Sequence, residues 1–334
     1  MTENSEPAEQ FVAHVSVRDA DSGQNGEVSC SLAEPSLFRM MAPYKSDYTI
    51  MTATRLDRET ASDHLVTVRC TDHGAVMLTT TVDILVEVLD ENDNAPEIGG
   101  VSEGGEGGKG GGVGHRVVVE TMENNIHGVE LVKLNATDRD IGRNSRLMFQ
   151  LEPVNGTPLD SAVVDPGTGS VRANQVFDCE QFRTYEYIVT VADDGLPALS
   201  TRVSLQLVIV DKNDNLPRFD LLEYHFTVKE NSDPVEVGEV RATDSDFSSQ
   251  FNRVVYRFRT DDTRFHIDRH SGRIDSKFQL DREEKALYIL TVIASNDIMS
   301  LVESSQQSTV NVTIQVTDEN DNAPIIVNRN KVGS

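Results

Sequence analysis

One short acidic motif occurs three times along this 334-residue chain, each time after a strand-like segment. The copies are DENDNAP at 90–96, DKNDNLP at 211–217 and DENDNAP at 318–324. The preceding segments (79–90, 201–211 and 308–318) alternate apolar and polar residues and are rich in Val, Ile and Thr, which is typical of half-buried strands. An ending that repeats in this way indicates a repeated domain.

Three other acidic motifs recur in a fixed order within each repeat. A Glu-Asn pair comes first, followed by DxD and then DxE, and DxNDN closes the repeat. The early glutamates are Glu3, Glu123 and Glu230, and they precede the first aspartates of DxNDN (Asp90, Asp211 and Asp318) by 87, 88 and 88 residues. Spacing this constant predicts three copies of one structural unit rather than scattered acidic residues.

Short strand patterns dominate the remainder, with turn signals such as DPGTG at 165–169, and no long helical period appears. About seven short strands per repeat predict an all-β fold of antiparallel sandwiches. We place the domains at 1–97, 98–218 and 219–327, with a tail at 328–334. The glycine-rich stretch at 99–116 is expected to be a flexible insertion without packed structure.

The charge balance restricts the possible partners. The chain has 55 acidic and 30 basic side chains, a formal net charge of −25. A nucleic-acid partner needs a basic face, and an anionic membrane surface would repel the chain, so both are disfavoured. No apolar run is long enough to span a bilayer, and the polar opening MTENSEPAEQ is not a secretory signal. The excess of carboxylates favours cations.

The motifs match the oxygen chemistry of calcium but not its helix-loop-helix site. That site needs Gly at position 6 and Glu at position 12. The three copies have Ala, Leu and Ala at position 6, and Val, Leu and Arg at position 12. Calcium takes about six to eight oxygen ligands, which no single motif supplies, so two adjoining repeats must contribute. Zinc is disfavoured because no Cys or His accompanies the acids.

The motifs together resemble extracellular cadherin repeats. LNATDRDIGRNS at 134–145, RLDRET at 55–60 and VLDENDNAPEI at 88–98 carry the resemblance, which covers nearly the whole chain and is nearest to protocadherin and dachsous-like cadherins. It implies tandem immunoglobulin-like Greek-key β-sandwiches in an extended rod, with about three Ca²⁺ ions at each complete junction. It also implies that the first repeat lacks its N-terminal strand, and the DxD at 19–21 implies an upstream repeat.

The resemblance assigns a ligand set to each junction. At the first junction the residues are Glu3, Asp57, Glu59, Asp90, Glu91, Asn92, Asp93, Asn94, Asp138, Asp140, Asn144 and Asp194, with Asp193 possible if the register slips. At the second they are Glu123, Asp178, Glu180, Asp211, Lys212, Asn213, Asp214, Asn215, Asp244, Asp246, Asn252 and Asn296, or Asp297 in place of Asn296. The incomplete outer junctions would use Asp19, Asp21, Asp72, Glu230, Asp281, Glu283, Asp318, Asn320 and Asp321.

In these sets the backbone carbonyl groups of Glu91, Asn94 and Asn144, and of Lys212, Asn215 and Asn252, are the expected ligands. The carboxylates in the sets number 23, which leaves 32 acidic against 30 basic residues elsewhere. The acidity of the chain is therefore concentrated in the predicted metal sites, where divalent cations would neutralise it.

Three cysteines and three glycosylation sequons complete the candidate residues. Cys30 and Cys70 lie on apolar alternating segments. We favour buried free thiols, and a disulfide between the two is kept as the alternative. Cys179 stands where the family usually has Arg, and we interpret it as a tolerated substitution. The sequons are at Asn135, Asn155 and Asn311, and Asn311 is expected to face solvent.

The predicted function is calcium-dependent cell–cell adhesion or recognition, without catalysis, by the extracellular region of a plasma-membrane protein whose anchor lies outside this sequence. The expected partner is a cadherin-family ectodomain, of the same or a related protein, on an apposed cell. No nucleic acid or small-molecule substrate is expected. The alternative is a secreted carbohydrate-binding or hydrolytic protein with such domains as spacers; the absence of Trp and an aromatic content of 6% weigh against it.

Overall fold

The computed structural model describes residues 1–6, 10–103, 109–111, 116–296 and 307–325. The described chain divides into two compact units. The first comprises Met1–Val119, Ile126–Gln175 and Tyr185–Leu207, and the second comprises Glu120–Asn125, Val176–Thr184 and Val208–Ser334. No helix in the described ranges is long and apolar enough to cross a membrane.

The first six strands form two three-stranded sheets, and one 3-10 turn, Gly23–Gly26, lies between the first and second strands. Their orders are β1-β4-β3 and β2-β5-β6, and one hydrophobic cluster that includes Ile50, Val68 and Val86 contains residues of both sheets. The strands are β1 (Phe11–Ser16), β2 (Val28–Leu32), β3 (Phe38–Tyr44), β4 (Asp47–Thr52), β5 (Asp63–Asp72) and β6 (Thr79–Glu87).

The next nine strands form a four-stranded and a five-stranded sheet, with orders β12-β13-β10-β7 and β11-β14-β15-β9-β8. Their inward side chains, such as Val171, Val189 and Leu207, are fully buried. The strands are β7 (Glu97–Glu103), β8 (Lys109–Gly111), β9 (Arg116–Met122), β10 (Glu130–Thr137), β11 (Met148–Val154), β12 (Ala162–Val164), β13 (Ser170–Ala173), β14 (Thr184–Ala192) and β15 (Ser200–Val210).

The last nine strands lie in the second unit and form sheets β17-β24-β23-β20 and β18-β22-β21 and the short pair β16-β19. β17 pairs with β24 in parallel, while the other described pairings among these strands are antiparallel. The strands are β16 (Arg218–Phe219), β17 (Glu223–Lys229), β18 (Glu236–Glu239), β19 (Ala242–Thr243), β20 (Val255–Phe258), β21 (Phe265–Ile267), β22 (Arg273–Ser276), β23 (Leu287–Ser295) and β24 (Gln307–Thr317).

The strand before each DxNDN motif buries alternate side chains, as predicted. In β24, Val310, Val312, Ile314 and Val316 are buried, while Asn311 between them is exposed. Successive side chains on a strand point to opposite faces, so one face of β24 packs in the core and the other meets solvent. The predicted sandwiches of two packed sheets are confirmed.

Two expectations are wrong. Part of the glycine-rich stretch is ordered, because β7 pairs antiparallel with β10 and β8 lies at the edge of the five-stranded sheet; strand pairing uses backbone groups and needs no side-chain pattern. Residues 104–108 and 112–115 of that stretch lie outside the described residues. Cys30 and Cys70 are not free thiols: they face each other on β2 and β5 and form a disulfide.

Candidate metal centres

The early glutamate of each repeat is buried, and its carboxylate accepts backbone hydrogen bonds from the DxE and DxNDN motifs. Glu3 accepts hydrogen bonds from the backbone N–H of Arg58 at 2.9 Å and of Glu91 at 2.7 Å. The other two repeats repeat the pattern: Glu123 accepts from Cys179 (2.9 Å) and Lys212 (2.5 Å), and Glu230 accepts from Arg282 (2.9 Å) and Glu319 (2.5 Å). Each glutamate thus fixes its DxE and DxNDN motifs beside each other through charge-assisted hydrogen bonds.

The asparagine after each early glutamate has a role that the sequence did not reveal. Asn4, Asn124 and Asn231 have φ values of 55°, 56° and 58°, in the left-handed region that Asn tolerates better than most residues. This turn directs each amide to the last aspartate of DxNDN, at 2.5 Å for Asp93 and 2.7 Å for Asp321, with Asp214 bonded likewise. The only sequence signal was that Asn follows Glu every time.

The first cluster combines carboxylates of two successive repeats within the first unit. Oxygens of Glu3, Glu59 and Asp90 lie within 4.8 Å of one another, as do those of Glu59, Asp93 and Asp140. Asp140 belongs to the DxD motif of the following repeat and accepts a hydrogen bond from Asn94 Nδ2 at 2.8 Å. Carboxylates this close repel unless a cation or proton lies between them.

The second cluster has the same composition. Glu123, Glu180 and Asp214 form one group of oxygens within 4.8 Å, and Glu180, Asp211 and Asp246 form another. Asn215 donates to Asp246 Oδ1 from its backbone N–H at 3.0 Å and from Nδ2 at 2.9 Å, which repeats the contact between Asn94 and Asp140. A third group, Glu230, Asp281 and Glu283, forms at the end of the last repeat.

Four predicted ligands lie beside these groups rather than within them. Asp57 accepts a hydrogen bond from Thr60 Oγ1 at 2.9 Å, which lowers the pKa of Asp57. Asp178 accepts likewise from Gln181 Nε2 at 2.6 Å. The first aspartate of each internal DxD motif receives the backbone N–H of the second, at 3.0 Å for Asp138 and 2.9 Å for Asp244.

The residues predicted for the outer junctions make local hydrogen bonds and ion pairs like those of their counterparts in the other repeats. Asp19 accepts the Asp21 N–H at 2.9 Å, as in the other DxD motifs. Asp72 is buried and accepts the N–H groups of Gly74 and Leu78 at 3.0 and 3.1 Å. At the other end, Asp318 pairs with Arg282, and Asp321 accepts from Asn231 and Asn322. Within the described residues, Asn320 makes no hydrogen bond through its side chain.

Of the two adjacent aspartates, Asp193 rather than Asp194 has the environment expected of the first-junction residue, so we now favour Asp193 as the candidate. Asp193 is buried, accepts the N–H groups of Gly195 and Leu199, and thereby repeats the contacts of Asp72. It also accepts a hydrogen bond from Asn92 Nδ2 at 3.1 Å. Asp194 is partly exposed and pairs with Arg143 at 3.3 Å.

In the last repeat the corresponding residue is Asn296, which is buried and donates from Nδ2 to Asn213 Oδ1 at 2.8 Å and to Asp244 Oδ2 at 3.3 Å. Its alternative, Asp297, lies outside the described residues. The side chain of Asn144 donates to Asp90 Oδ2 at 2.9 Å, and that of Asn252 donates to the Phe247 carbonyl at 3.3 Å. The predicted carbonyl ligands stay predictions.

Both internal clusters leave buried oxygen atoms without a donor. Within the described residues, Asn92 Oδ1 and Asp138 Oδ2 at the first cluster have no hydrogen-bond partner, nor do Asp246 Oδ2 and Asn296 Oδ1 at the second. A buried acceptor without a partner is costly and uncommon. Because the unpaired atoms are all oxygens and the groups contain no His or Cys, the residues fit a hard cation such as Ca²⁺.

Burial makes four carboxylates at or beside these clusters hard to ionise without a cation. Loss of solvation raises the pKa of Glu59 to about 7 and that of Glu180 to about 8, with the early glutamates adding repulsion. The same loss of solvation raises the pKa of Asp140 and of Asp244. A divalent cation would reverse this balance in favour of the charged forms. Burial also raises the pKa of Cys179 to about 11, so its thiol is neutral near pH 7.

Two-sheet sandwiches in series, with acidic clusters built from Glu-Asn, DxE, DxNDN and DxD motifs, define the class of this chain. The sequence matches the cadherin domain family over residues 1–89, 118–210 and 224–317. The chain belongs to the cadherin family.

Protocadherins are among its relatives. It is 31% identical to Protocadherin-7 of Homo sapiens over 325 residues and 32% identical to Protocadherin-1 of Homo sapiens over 329 residues. These alignments cover 94% and 95% of this chain but 28% and 29% of the relatives, so the chain spans less than a third of their length.

Among solved structures, it resembles the Protocadherin gammaB7 EC3-6 cis-dimer structure, with a TM-score of 0.80 and 26% identity over 94% of this chain and 74% of that one. The comparisons therefore support the protocadherin-like type of repeat that the motifs predicted.

Proposed function

We propose that the chain is part of the extracellular region of a protocadherin-like plasma-membrane protein and takes part in calcium-dependent cell–cell adhesion or recognition. One observation carries the proposal: a single carboxylate cluster in the first unit contains Glu59 and Asp93 of one repeat and Asp140 of the next. A cation bound there would be held by residues of both repeats. Its binding would therefore stabilise one arrangement of the two repeats, and with it the surface that they offer to a partner.

The residues that would hold Ca²⁺ are those grouped above: the early glutamates, the DxE and DxNDN carboxylates and the DxD aspartates. Asn92 Oδ1 and Asn296 Oδ1 would add neutral oxygens, because both are buried and lack a donor among the described residues. When bound, Ca²⁺ would supply positive charge that balances the carboxylates. About three ions at each complete junction would satisfy the oxygen atoms available.

The proposed partner is another cadherin-family ectodomain on an apposed cell. Relatives with long matches to this chain are protocadherins, so a secreted carbohydrate-binding or hydrolytic protein gains no support. The absence of catalysis stays a prediction. An extracellular location agrees with the disulfide between Cys30 and Cys70 and with the exposure of all three sequon asparagines, Asn135, Asn155 and Asn311.

A bead-aggregation assay tests this function. Beads coated with the chain should aggregate in calcium and disperse in chelator. Asp93→Ala, which removes a carboxylate of the first cluster, should reduce aggregation. Asp83→Ala is the matched control, because Asp83 is exposed on β6 and bonds only Thr67 there. Aggregation that is equal in calcium and in chelator would contradict the proposed function.

A further inference from the structure

One residue of the DxE motif differs in chemistry among the three repeats. The residue between the two acids is Arg58 in the first, Cys179 in the second and Arg282 in the third. In all three the backbone N–H of this residue donates to the early glutamate at 2.9 Å. The main chain is therefore held in the same way, and the side chain alone distinguishes the repeats.

Arg58 lies inside the first cluster and acts as a counter-ion. Its side chain is only 10% exposed. Nε donates to Asp90 Oδ1 at 2.5 Å, and Nη2 donates to Glu59 and, at 2.7 Å, to the backbone carbonyl of Arg139. Asp90 and Glu59 are both members of the proposed calcium ligand set, so the guanidinium engages oxygens that the cation also needs.

The third repeat uses its arginine in the same way. Arg282 Nη2 lies 2.5 Å from Asp318 Oδ1 and 2.7 Å from Glu283 Oε1. Asp318 and Glu283 stand at the positions of Asp90 and Glu59. Two independent repeats therefore place the guanidinium on the same pair of carboxylates, which makes the contact a property of the motif.

The second cluster has no such cation. Cys179 is buried, and its Sγ contacts the backbone carbonyl of Ile209 at 3.7 Å. In the described part of the chain, neither Glu180 nor Asp211 forms an ion pair. The carboxylates that correspond to those held by Arg58 thus meet no side-chain cation in the second cluster, where Asp211 accepts the backbone N–H groups of Phe247 and Ser248 instead.

We propose that Arg58 is a built-in competitor of calcium at the first cluster, and that the second cluster, with Cys179 in its place, fills at a lower calcium concentration. This inference rests on the proposed calcium binding. To load the ion position beside Glu59 and Asp90, the charge-assisted hydrogen bonds of Arg58 must be broken or shared. The corresponding position beside Glu180 and Asp211 carries no such penalty.

Hydrogen-exchange mass spectrometry on the full chain during a calcium titration measures each cluster separately. Peptides that cover 56–60 and 90–94 report the first cluster, and those that cover 177–181 and 211–215 report the second. In the unmodified chain the peptides of the second cluster should gain protection at a lower calcium concentration than those of the first. Arg58→Gln should lower the midpoint of the first set by about tenfold, since hydrogen bonds to charged groups are lost from the competing state. Cys179→Arg should raise the midpoint of the second set.

Arg55→Gln is the matched control. It removes the same positive charge three residues earlier in the sequence, where Arg55 pairs with Glu6 at 2.5 Å outside the cluster. It should leave both midpoints unchanged. If Arg58→Gln leaves the first midpoint where it was, or raises it, the inference is overturned whether or not Cys179→Arg folds. If calcium protects neither set in the unmodified chain, the proposed function itself fails, and the two failures are therefore distinguishable.

Discussion

The side-chain amide of Asn92 donates a hydrogen bond to Asp193 Oδ1 at 3.1 Å and another to the Pro197 carbonyl at 2.7 Å. Asn92 belongs to the motif that ends the first repeat, and Asp193 to the late acidic position of the second. Both lie in the first compact unit. These two bonds fix the amide nitrogen. The amide oxygen is buried and has no hydrogen-bond donor among the described residues, so its lone pairs are available to a cation.

Asp193 and Asp194 are adjacent in sequence but should differ in their effect on calcium binding. Asp193→Asn should weaken binding at the first cluster by about tenfold, because affinity depends on the charge of the ligands. Asp194→Asn removes partly exposed pairs with Arg143 and Arg146, each worth about 0–1 kcal/mol, and is the matched control. Isothermal titration with calcium measures both. A larger loss in Asp194→Asn than in Asp193→Asn would restore the original assignment.

Asn296→Asp should have opposite effects with and without calcium. In chelator it should lower the thermal unfolding midpoint, because it removes the donor to Asn213 and adds a charge near Asp244. In calcium it should tighten the ion nearest the third repeat, which we expect to be the weakest ion of the second cluster, and raise the midpoint.

Asn174→Asp makes the same chemical change far from this cluster, where Asn174 Nδ2 bonds the Asp160 carbonyl. The shift that it causes in the unfolding midpoint should have the same sign in calcium and in chelator. If Asn296→Asp shifts the midpoint in the same direction under both conditions, Asn296 is not a ligand and Asp297 becomes the candidate.

The disulfide should stabilise the first sandwich. Cys30 and Cys70 are 40 residues apart, and a cross-link across a loop of that length restricts the unfolded chain by about 4 kcal/mol in the chain-entropy account. Replacement of both cysteines by serine should lower the unfolding midpoint of that sandwich in chelator. The unmodified chain in reductant should match the double variant, and the double variant should not respond to reductant. An unmodified chain that is equally stable with and without reductant would contradict the pairing.

Asp268 should give the third sandwich a stability that is lost in acid. Its Oδ1 accepts the N–H groups of His270 and Ser271 and the Ser271 hydroxyl, which lowers the pKa of Asp268 to about 2. A carboxyl whose pKa is lower in the folded state stabilises that state above its ordinary pKa, and the contribution disappears as the pH falls towards 2.

The difference in unfolding midpoint between the unmodified chain and Asp268→Asn, measured in chelator, should therefore be largest above about pH 4 and shrink towards pH 2. Asp261→Asn, at an exposed position nearby, is the control. A difference that does not change with pH would show that the charge of Asp268 does not stabilise this turn.

The sequence predicted the strands before each DxNDN motif closely. β6, β15 and β24 begin and end within three residues of the predicted segments because their apolar residues alternate with polar ones. β7 was missed because Gly99 and Gly100 carry no side-chain pattern, while backbone pairing with β10 needs none. The pairing of Cys30 with Cys70 was left open because it depends on the register of β2 against β5, which alternation alone does not determine.

The candidate site was predictable to the level of its motifs but not of its contacts. Motif spacing singled out Glu3, Glu59 and Asp140, and the resemblance to cadherin repeats assigned them to one junction; the structure brings them together in one cluster. Spacing did not distinguish Asp193 from Asp194, because two adjacent aspartates fit the same motif. It did not reveal that Asn4 turns into the left-handed region either, since that turn brings its amide to Asp93, which is distant in sequence.

The most direct test of the account is equilibrium dialysis with radioactive calcium, applied to the unmodified chain and to Glu59→Gln/Glu180→Gln. Each of these glutamates belongs to both oxygen groups of its cluster, so the double substitution removes a charge from all four groups. Glu223→Gln/Glu239→Gln, at two exposed positions, is the control. We expect saturable binding of several ions by the unmodified and control chains and loss of most of it in the double variant. Equal uptake by all three chains, or no saturable uptake by any, would contradict it.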